Sequence, residues 1–218
     1  KGAEIMQQPV LTASQALQSK MAGVQITNSG APGSAPNVRI RGTGSVIGGA
    51  EPLYVVDGVI TDDIRNINTA DILTIDVLKD ASSTAIYGVR AANGVILITT
   101  KRGGSGKPKL NYDGYAGVKF MTNKIAMARP GTFSKYSNEA AGTFAVLPSD
   151  ITGETDWYAT LTRPGNMNNH NLSISGGTEA TSYLFSVNYY NENGILNDNN
   201  YERVSIRSNN EYRVNDRL

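Results

Sequence analysis

NVRIRGTGSVIGGAEPLYVVDGVITDDIRNINTADILTIDVLKDASSTAIYGVRAANGVILITT, residues 37–100, is the stretch whose reading decides the fold. It holds three short β-like runs, Val38-Arg39-Ile40-Arg41, Leu53-Tyr54-Val55-Val56 and Val95-Ile96-Leu97-Ile98-Thr99-Thr100. A fourth, residues 72–78, leads into a small helical segment. Branched and aromatic residues in runs of this length favour strands. Together they predict a compact mixed sheet, too short for an ordinary enzyme domain.

On the N-terminal side, Thr12-Ala13-Ser14-Gln15 has the spacing of a capping box and predicts a short helix through Met21 that Gly23 ends. Val24-Gln25-Ile26-Thr27 then alternates like a strand. Three polar loops follow, residues 28–37, 43–52 and 59–68, rich in Gly, Pro, Ser, Asn and Asp, each of which supplies turn geometry. The expectation is that they separate short strands of one small sheet, as a rigid scaffold presents a binding surface.

Past Lys101 the texture changes. Residues 103–109 form a Gly-rich, basic hinge between a first unit, residues 1–102, and a second, residues 110–218. In the second unit period-two alternation dominates. Leu110, Tyr112, Ala116, Val118 and Phe120 fall on one face, with Asn111, Asp113, Tyr115 and Lys119 on the other. Leu172 and Ile174 alternate with Asn171, Ser173 and Ser175; Tyr183, Phe185, Val187 and Tyr189 with Ser182, Ser186 and Asn188; Val204 and Ile206 with Arg203, Ser205 and Arg207. The first and second of these segments are joined through residues 122–168, the second and third through Gly177-Thr178-Glu179-Ala180 alone. Long and short connections alternate in this way in outer-membrane barrels. A soluble antiparallel sandwich shares the alternation and stands as the alternative at this point.

Composition removes several classes. The 218 residues carry a net charge of +1 with mixed signs along the chain, which gives no basic face for nucleic acid, and the absence of Cys removes disulfides and thiol chemistry. No apolar run approaches the roughly 20 residues of a spanning helix, a test blind to barrels. Gly42-x-Gly44-x-x-Ile47 lacks the last glycine of a dinucleotide fingerprint, and Pro108 follows Lys107 where a phosphate loop requires Ser or Thr. His170 is the single histidine, so neither a triad nor a histidine metal cluster forms, and no metal or other cofactor is expected. Asp57, Asp62, Asp63, Asp71, Asp76 and Asp80 form the densest carboxylate set, but no base or nucleophile is spaced with them; Asp57-Gly58 and Asp80 read as turn and cap, and no enzyme is expected. Arg39 and Arg41 point the same way from one strand; within an enclosing wall, their forks suit bidentate pairing with carboxylates.

At this level of detail the blocks Val38-Arg39-Ile40-Arg41-Gly42, Pro52-Leu53-Tyr54-Val55-Val56-Asp57-Gly58-Val59, Val77-Leu78-Lys79-Asp80-Ala81-Ser82-Ser83-Thr84-Ala85-Ile86-Tyr87-Gly88 and Arg90-Ala91-Ala92-Asn93-Gly94-Val95 onward become specific. In this order and spacing they resemble the plug domain of SusC/RagA-type TonB-dependent transporters. Thr155-Asp156-Trp157 and the run from Asn169 to Gly177 look like that family's first barrel strands. Leu73 stands where the family usually has an acidic residue.

The resemblance implies an α+β plug domain, a small mixed sheet with short helices, followed by antiparallel strands of a transmembrane β-barrel of about 22 strands in the complete protein. It implies import across the outer membrane of large nutrients, oligosaccharides or oligopeptides, with the plug inside the barrel lumen. The partners it implies are a SusD-like surface lipoprotein acting as a lid, outer-membrane lipid, and a TonB complex reached through an N-terminal segment missing from this sequence. Transporter–lipoprotein pairs of the family often assemble in twos. Ser45, Val46, Ile47, Glu51, Asp62, Asp63 and Arg65 are the expected substrate-binding residues, and Arg39 and Arg41 the expected plug–barrel contacts. A siderophore or metal-chelate receptor and a non-transporting surface adhesin are the competing readings.

Overall fold

The structure, a computed structural model, describes residues 23–40, 42, 51–80, 85–142 and 155–214. The N-terminal unit contains β1 (Val24–Thr27), β2 (Asn37–Ile40), β3 (Leu53–Val56), β4 (Val59–Thr61), β5 (Ile72–Leu78) and β6 (Val95–Thr100). Short 3-10 turns lie at Thr69–Asp71, Ala85–Tyr87 and Val89–Ala91. The expected helix around residues 12–21 lies outside the described residues.

Strands β3 to β6 form one sheet in the order β4-β3-β6-β5, with β3 and β6 parallel and the outer pairs antiparallel. The mixed sheet is therefore present, with two corrections. First, β2 does not join it: β1 and β2 pair with each other as a separate antiparallel ribbon. Second, the loop expected from residue 59 begins three residues later, because Val59–Thr61 turns back onto β3. Asp57 and Gly58, with φ of 49° and 89°, form the two-residue hairpin between β3 and β4. Positive φ at both positions matches the right-handed strand twist, which is why Asp-Gly closes hairpins well.

The central strand β6 is buried on both faces, as its unbroken apolar run requires. Ile96 and Ile98 pack with Ile72, Ile75, Ile64 and the ribbon residues Ile26, Val38 and Ile40. Val95 turns the other way, against Leu53, Val55 and Ala91. Burying each such aliphatic side chain stabilises the fold by about 1.5–3 kcal/mol. Gly94 makes the crossing of ribbon and sheet possible. Its φ is 95°, and a Cβ there would stand 2.8 Å from Ile40 Cδ1.

The second unit is a four-stranded antiparallel sheet of long strands in sequence order: β7 (Gly106–Lys119), β8 (Gly165–Gly177), β9 (Thr181–Asn193) and β10 (Asn200–Tyr212). β7 starts inside the segment that the sequence reading gives to the hinge, with a register irregularity between Gly106 and Lys109. The 122–168 connection also carries two unforeseen helices, α1 (Pro130–Ala141) and α2 (Trp157–Leu161). Pro130 opens the first, and the Asp156 carboxylate accepts the Ala159 N–H at 2.9 Å to cap the second.

The two faces of this sheet differ as the alternation predicts. Leu110, Tyr112, Leu172, Phe185, Tyr189, Val204 and Ile206 are exposed on the side away from the N-terminal unit. The side toward it carries Asn169, Asn171, Ser186, Asn188, Glu192 and Arg203, all buried. The sandwich alternative required the apolar side to turn inward, and it does not.

The seam is a series of polar contacts. Asn68 Nδ2 donates to Asn171 Oδ1 at 2.7 Å, and the Ser186 hydroxyl donates to Asp71 Oδ2 at 2.9 Å. Arg203 donates to the Arg65 carbonyl oxygen. Asn188 and Ser205 lie opposite each other in register, and Asn188 Oδ1, Ser205 Oγ and Arg203 Nε are buried without a protein acceptor or donor. Groups of this kind take water, and water-bridged contacts part at small cost.

Asp71 contributes one pH-dependent part of the seam. Burial raises its pKa above the ordinary 3.8, against the lowering effects of the Ser186 bond and of the Arg207 and Lys101 charges. A raised carboxyl pKa contributes stability that is fully present below 3.8 and lost as pH rises through the folded value. Asp71→Asn, permanently neutral and of the same shape, should therefore flatten the dependence. Urea unfolding midpoints compared at about pH 4 and about pH 7 should differ less in the variant than in the unsubstituted protein.

Candidate functional site

The loop after β4 is held at its ends and open in its middle. Ile64 is buried in the core, and Asn68 both caps the following 3-10 turn, accepting from Ala70 N at 3.2 Å, and reaches Asn171 on the wall. On either side of Ile64, Asp62, Asp63 and Arg65 face solvent. Asp63 and Arg65 grip each other: Nε lies 3.0 Å from both carboxylate oxygens, Nη2 2.8 Å from Oδ2, and the Arg65 N–H 2.8 Å from Oδ1. The Arg65 side-chain bond lowers the Asp63 pKa below its ordinary value, against partial burial. The pair is a preformed charged knuckle.

Asp62 turns away from that knuckle. Its Oδ1 receives Arg90 Nη2 at 2.8 Å, with both side chains largely exposed. Asp62 and Arg90 line a cleft of about 260 Å³ with Glu51, Pro52, Tyr54, Thr61 and Asn93, and Asn93 Nδ2 bonds the Glu51 carbonyl at 3.4 Å. The fold thus brings Glu51 and Asp62 together from separate loops and puts Asp63 and Arg65 beside them. Arg90 and Asn93 were missed. They sit in a segment whose sequence reads as helix and strand entry, and only the parallel pairing of β3 with β6 carries them to the loop. Ser45, Val46 and Ile47 lie outside the described residues.

The 28–36 loop lies at the same end of the wall as the β9–β10 connection. Its turn is tied by Ser34 Oγ, which donates to the Ala31 carbonyl at 2.7 Å and receives Ser29 Oγ at 2.7 Å. Pro32 touches the position of Gly194, and Gly33 lies under the Tyr201 ring so closely that a Cβ would overlap it. Beyond this end, the 122–168 connection forms an aromatic cleft of about 850 Å³ with Met127, Phe133, Trp157 and Tyr158 in its lining.

Arg39 is half-buried in β2, opposite Gln25, and Arg41 lies outside the described residues. Two arginines that the sequence reading did not single out, Arg203 and Arg207, project from the wall to acceptors on the N-terminal unit. Among the described residues no three His, Asp or Glu side chains converge on a metal-sized site.

Comparison with known proteins agrees with this architecture. The family model of the TonB-dependent Receptor Plug Domain matches residues 1–95. A TonB-dependent receptor of Formosa agariphila is 41% identical over 222 residues, covering 96% of this chain and 22% of that protein. TonB-dependent receptor SusC of Bacteroides thetaiotaomicron is 38% identical over 205 residues, covering 88% of this chain and 20% of its own length. The chain thus spans about a fifth of the length of these curated relatives. Among solved structures, the RagAB peptide transporter superposes with a TM-score of 0.85 at 30% identity over 99% of this chain and 28% of the matched one. The siderophore receptor PirA of Pseudomonas aeruginosa, at 20% identity over 99% of this chain and 32% of its own and a TM-score of 0.62, shares the fold alone. Plug-like sheet, amphipathic wall and these likenesses converge: the chain belongs to the SusC/RagA-type TonB-dependent receptors, of which it supplies a plug domain followed by antiparallel barrel strands.

Proposed function

We propose that this chain is the gated part of an outer-membrane importer for large nutrients, oligosaccharides or oligopeptides, energised through TonB by the proton gradient. The observation that carries the reading is the division of the wall into an apolar outer face and a polar inner face closed over by a folded unit. Lipid cannot solvate free backbone or charge, so the apolar side suits the bilayer, and barrel closure removes the open edges of β7 and β10. The unit inside stops leakage. Its contacts are single hydrogen bonds to Asn, Ser and Arg, with net contributions of about 0.5–1.5 kcal/mol for neutral pairs and about 1.5–3 kcal/mol for those to Arg, so a mechanical pull on the plug breaks them one after another.

In this reading the loop cluster is the floor of the ligand cavity. Ser45, Val46, Ile47, Glu51, Asp62, Asp63 and Arg65 contact the nutrient, now joined by Arg90 and Asn93. The cleft offers both charge signs beside amide and hydroxyl groups, a set that binds polar oligomers without chemistry. Arg39 and Arg41 face the remaining wall. A SusD-like lipoprotein covers the external mouth, a reading supported by the likeness to the RagAB importer. Such pairs assemble in twos. The siderophore alternative has only fold likeness behind it.

Deleting the receptor that carries this chain should abolish growth on one glycan or peptide source, as should loss of TonB. Undiminished growth on every candidate nutrient would remove the proposal. Asp62→Asn and Arg90→Gln are exposed enough to leave stability within about 0.5 kcal/mol. Each should weaken nutrient binding about tenfold, read by calorimetry on the purified receptor. Val187→Arg, on the outer face, should cost about 2–4 kcal/mol in urea unfolding from phospholipid vesicles, whereas Asn209→Arg, on the inner face, should cost far less.

A further inference from the structure

Asp57 does more than close a hairpin. The parallel pairing of β3 with β6 ends at Val56 and Ile98, and Asp57 prolongs it. Its N–H donates to the Ile98 carbonyl at 2.9 Å, and its Oδ1 accepts the Thr100 N–H at 2.9 Å, in place of a further backbone rung. Its Oδ2 accepts the Thr100 hydroxyl, and also Arg207 Nη2 at 3.3 Å. Arg207 Nη2 donates to the Thr100 hydroxyl oxygen as well. Thr100 is fully buried, and the Asp57 and Arg207 side chains are each 24% exposed, so this is no ordinary surface ion pair. Burial opposes the Asp57 charge, yet the Thr100 bonds and the Arg207 and Arg102 charges outweigh it and lower its pKa.

The position matters as much as the bonds. Thr100 is the last residue of β6, and residues 101–105 carry the chain directly into β7. Three strand segments, the end of β3, the end of β6 and the middle of β10, therefore meet at the point where the plug becomes the wall. The contacts at Arg65 and Asn68 are made by the loop after β4 rather than by the chain leading into β7, and must part if the plug is drawn aside.

We propose that Arg207 is a positioning residue: by gripping Asp57 and Thr100 together it seats the plug against the wall at the corner next to the tether, and so fixes the closed state of the lumen. This rests on the reading of the chain as a transporter plug. Turning of the remaining plug about a fixed corner lets the other seam contacts break and re-form in the same register.

The test uses the intact receptor carrying this chain, reconstituted in planar bilayers without nutrient, with heat-modified gel mobility reporting barrel folding. Arg207→Gln and Asp57→Asn should each raise resting conductance about tenfold, and the double variant should leak no more than either single one, because the two act as a unit. Arg207→Lys should recover part of the seal. Should Arg207→Gln fail to fold, Thr100→Val keeps both charges and removes the shared hydroxyl, and a leak in the same direction is expected. A folded Arg207→Gln or Thr100→Val receptor that seals as tightly as the unsubstituted one overturns the proposal, as does an additive double variant. The import reading fails differently: the unsubstituted receptor would transport no nutrient whatever the variants do to conductance.

Discussion

A strand that has hydrocarbon on one side and a water-filled lumen on the other must alternate residue by residue, and everything else in this chain accommodates that constraint. The polar side chains on the inner face are buried beneath the plug, where a dry core would reject them. They are tolerable because the plug meets them mainly with polar groups. Both of its hydrophobic clusters are made of its own residues and close within it, one between ribbon and sheet, the other under the 3-10 turns. The plug thus has an interior of its own, and the boundary with the wall is left to hydrogen bonds.

That division separates the energetics of the two parts. Aliphatic burial holds the plug sheet together, whereas single bonds of modest net value hold it in place. A body can in this way be firm internally and loosely seated. The exceptions are the arginines. Arg203, 9% exposed and stacked 6.0 Å from the Tyr190 ring, and Arg207 each hold a plug acceptor from the wall side.

The wall was legible in the sequence because period-two alternation encodes a face directly, and β8, β9 and β10 extend the expected segments without moving a side chain to the wrong side. The strands of the plug were legible one by one. Their partners were not, since four residues such as Val38-Arg39-Ile40-Arg41 carry no register, and a neighbour with equal patterning, Val24-Gln25-Ile26-Thr27, took the pairing. For the same reason the sequence singled out Arg39 and Arg41 but not Arg203 and Arg207, which make the described arginine bonds across the seam: residue type predicts pairing chemistry, and only tertiary placement says what lies opposite. At the site, Asp62, Asp63 and Arg65 stood out as a charged loop, whereas Arg90 needed the crossover connection to reach them. The second helix in the 122–168 connection is only 5 residues long, too short to show a period, and Pro130 and Asp156 were the legible signals of the pair.

The strand order has a consequence for how the molecule is made. β6 occupies an interior place in its sheet but comes last in that unit along the chain. During synthesis β3 and β5 are therefore made with the backbone edges that will flank it still unpaired, and such edges invite association with other chains. Residues 95–100 join the two halves of the sheet, so it closes only once they are made, and every strand of it precedes the first wall strand along the chain.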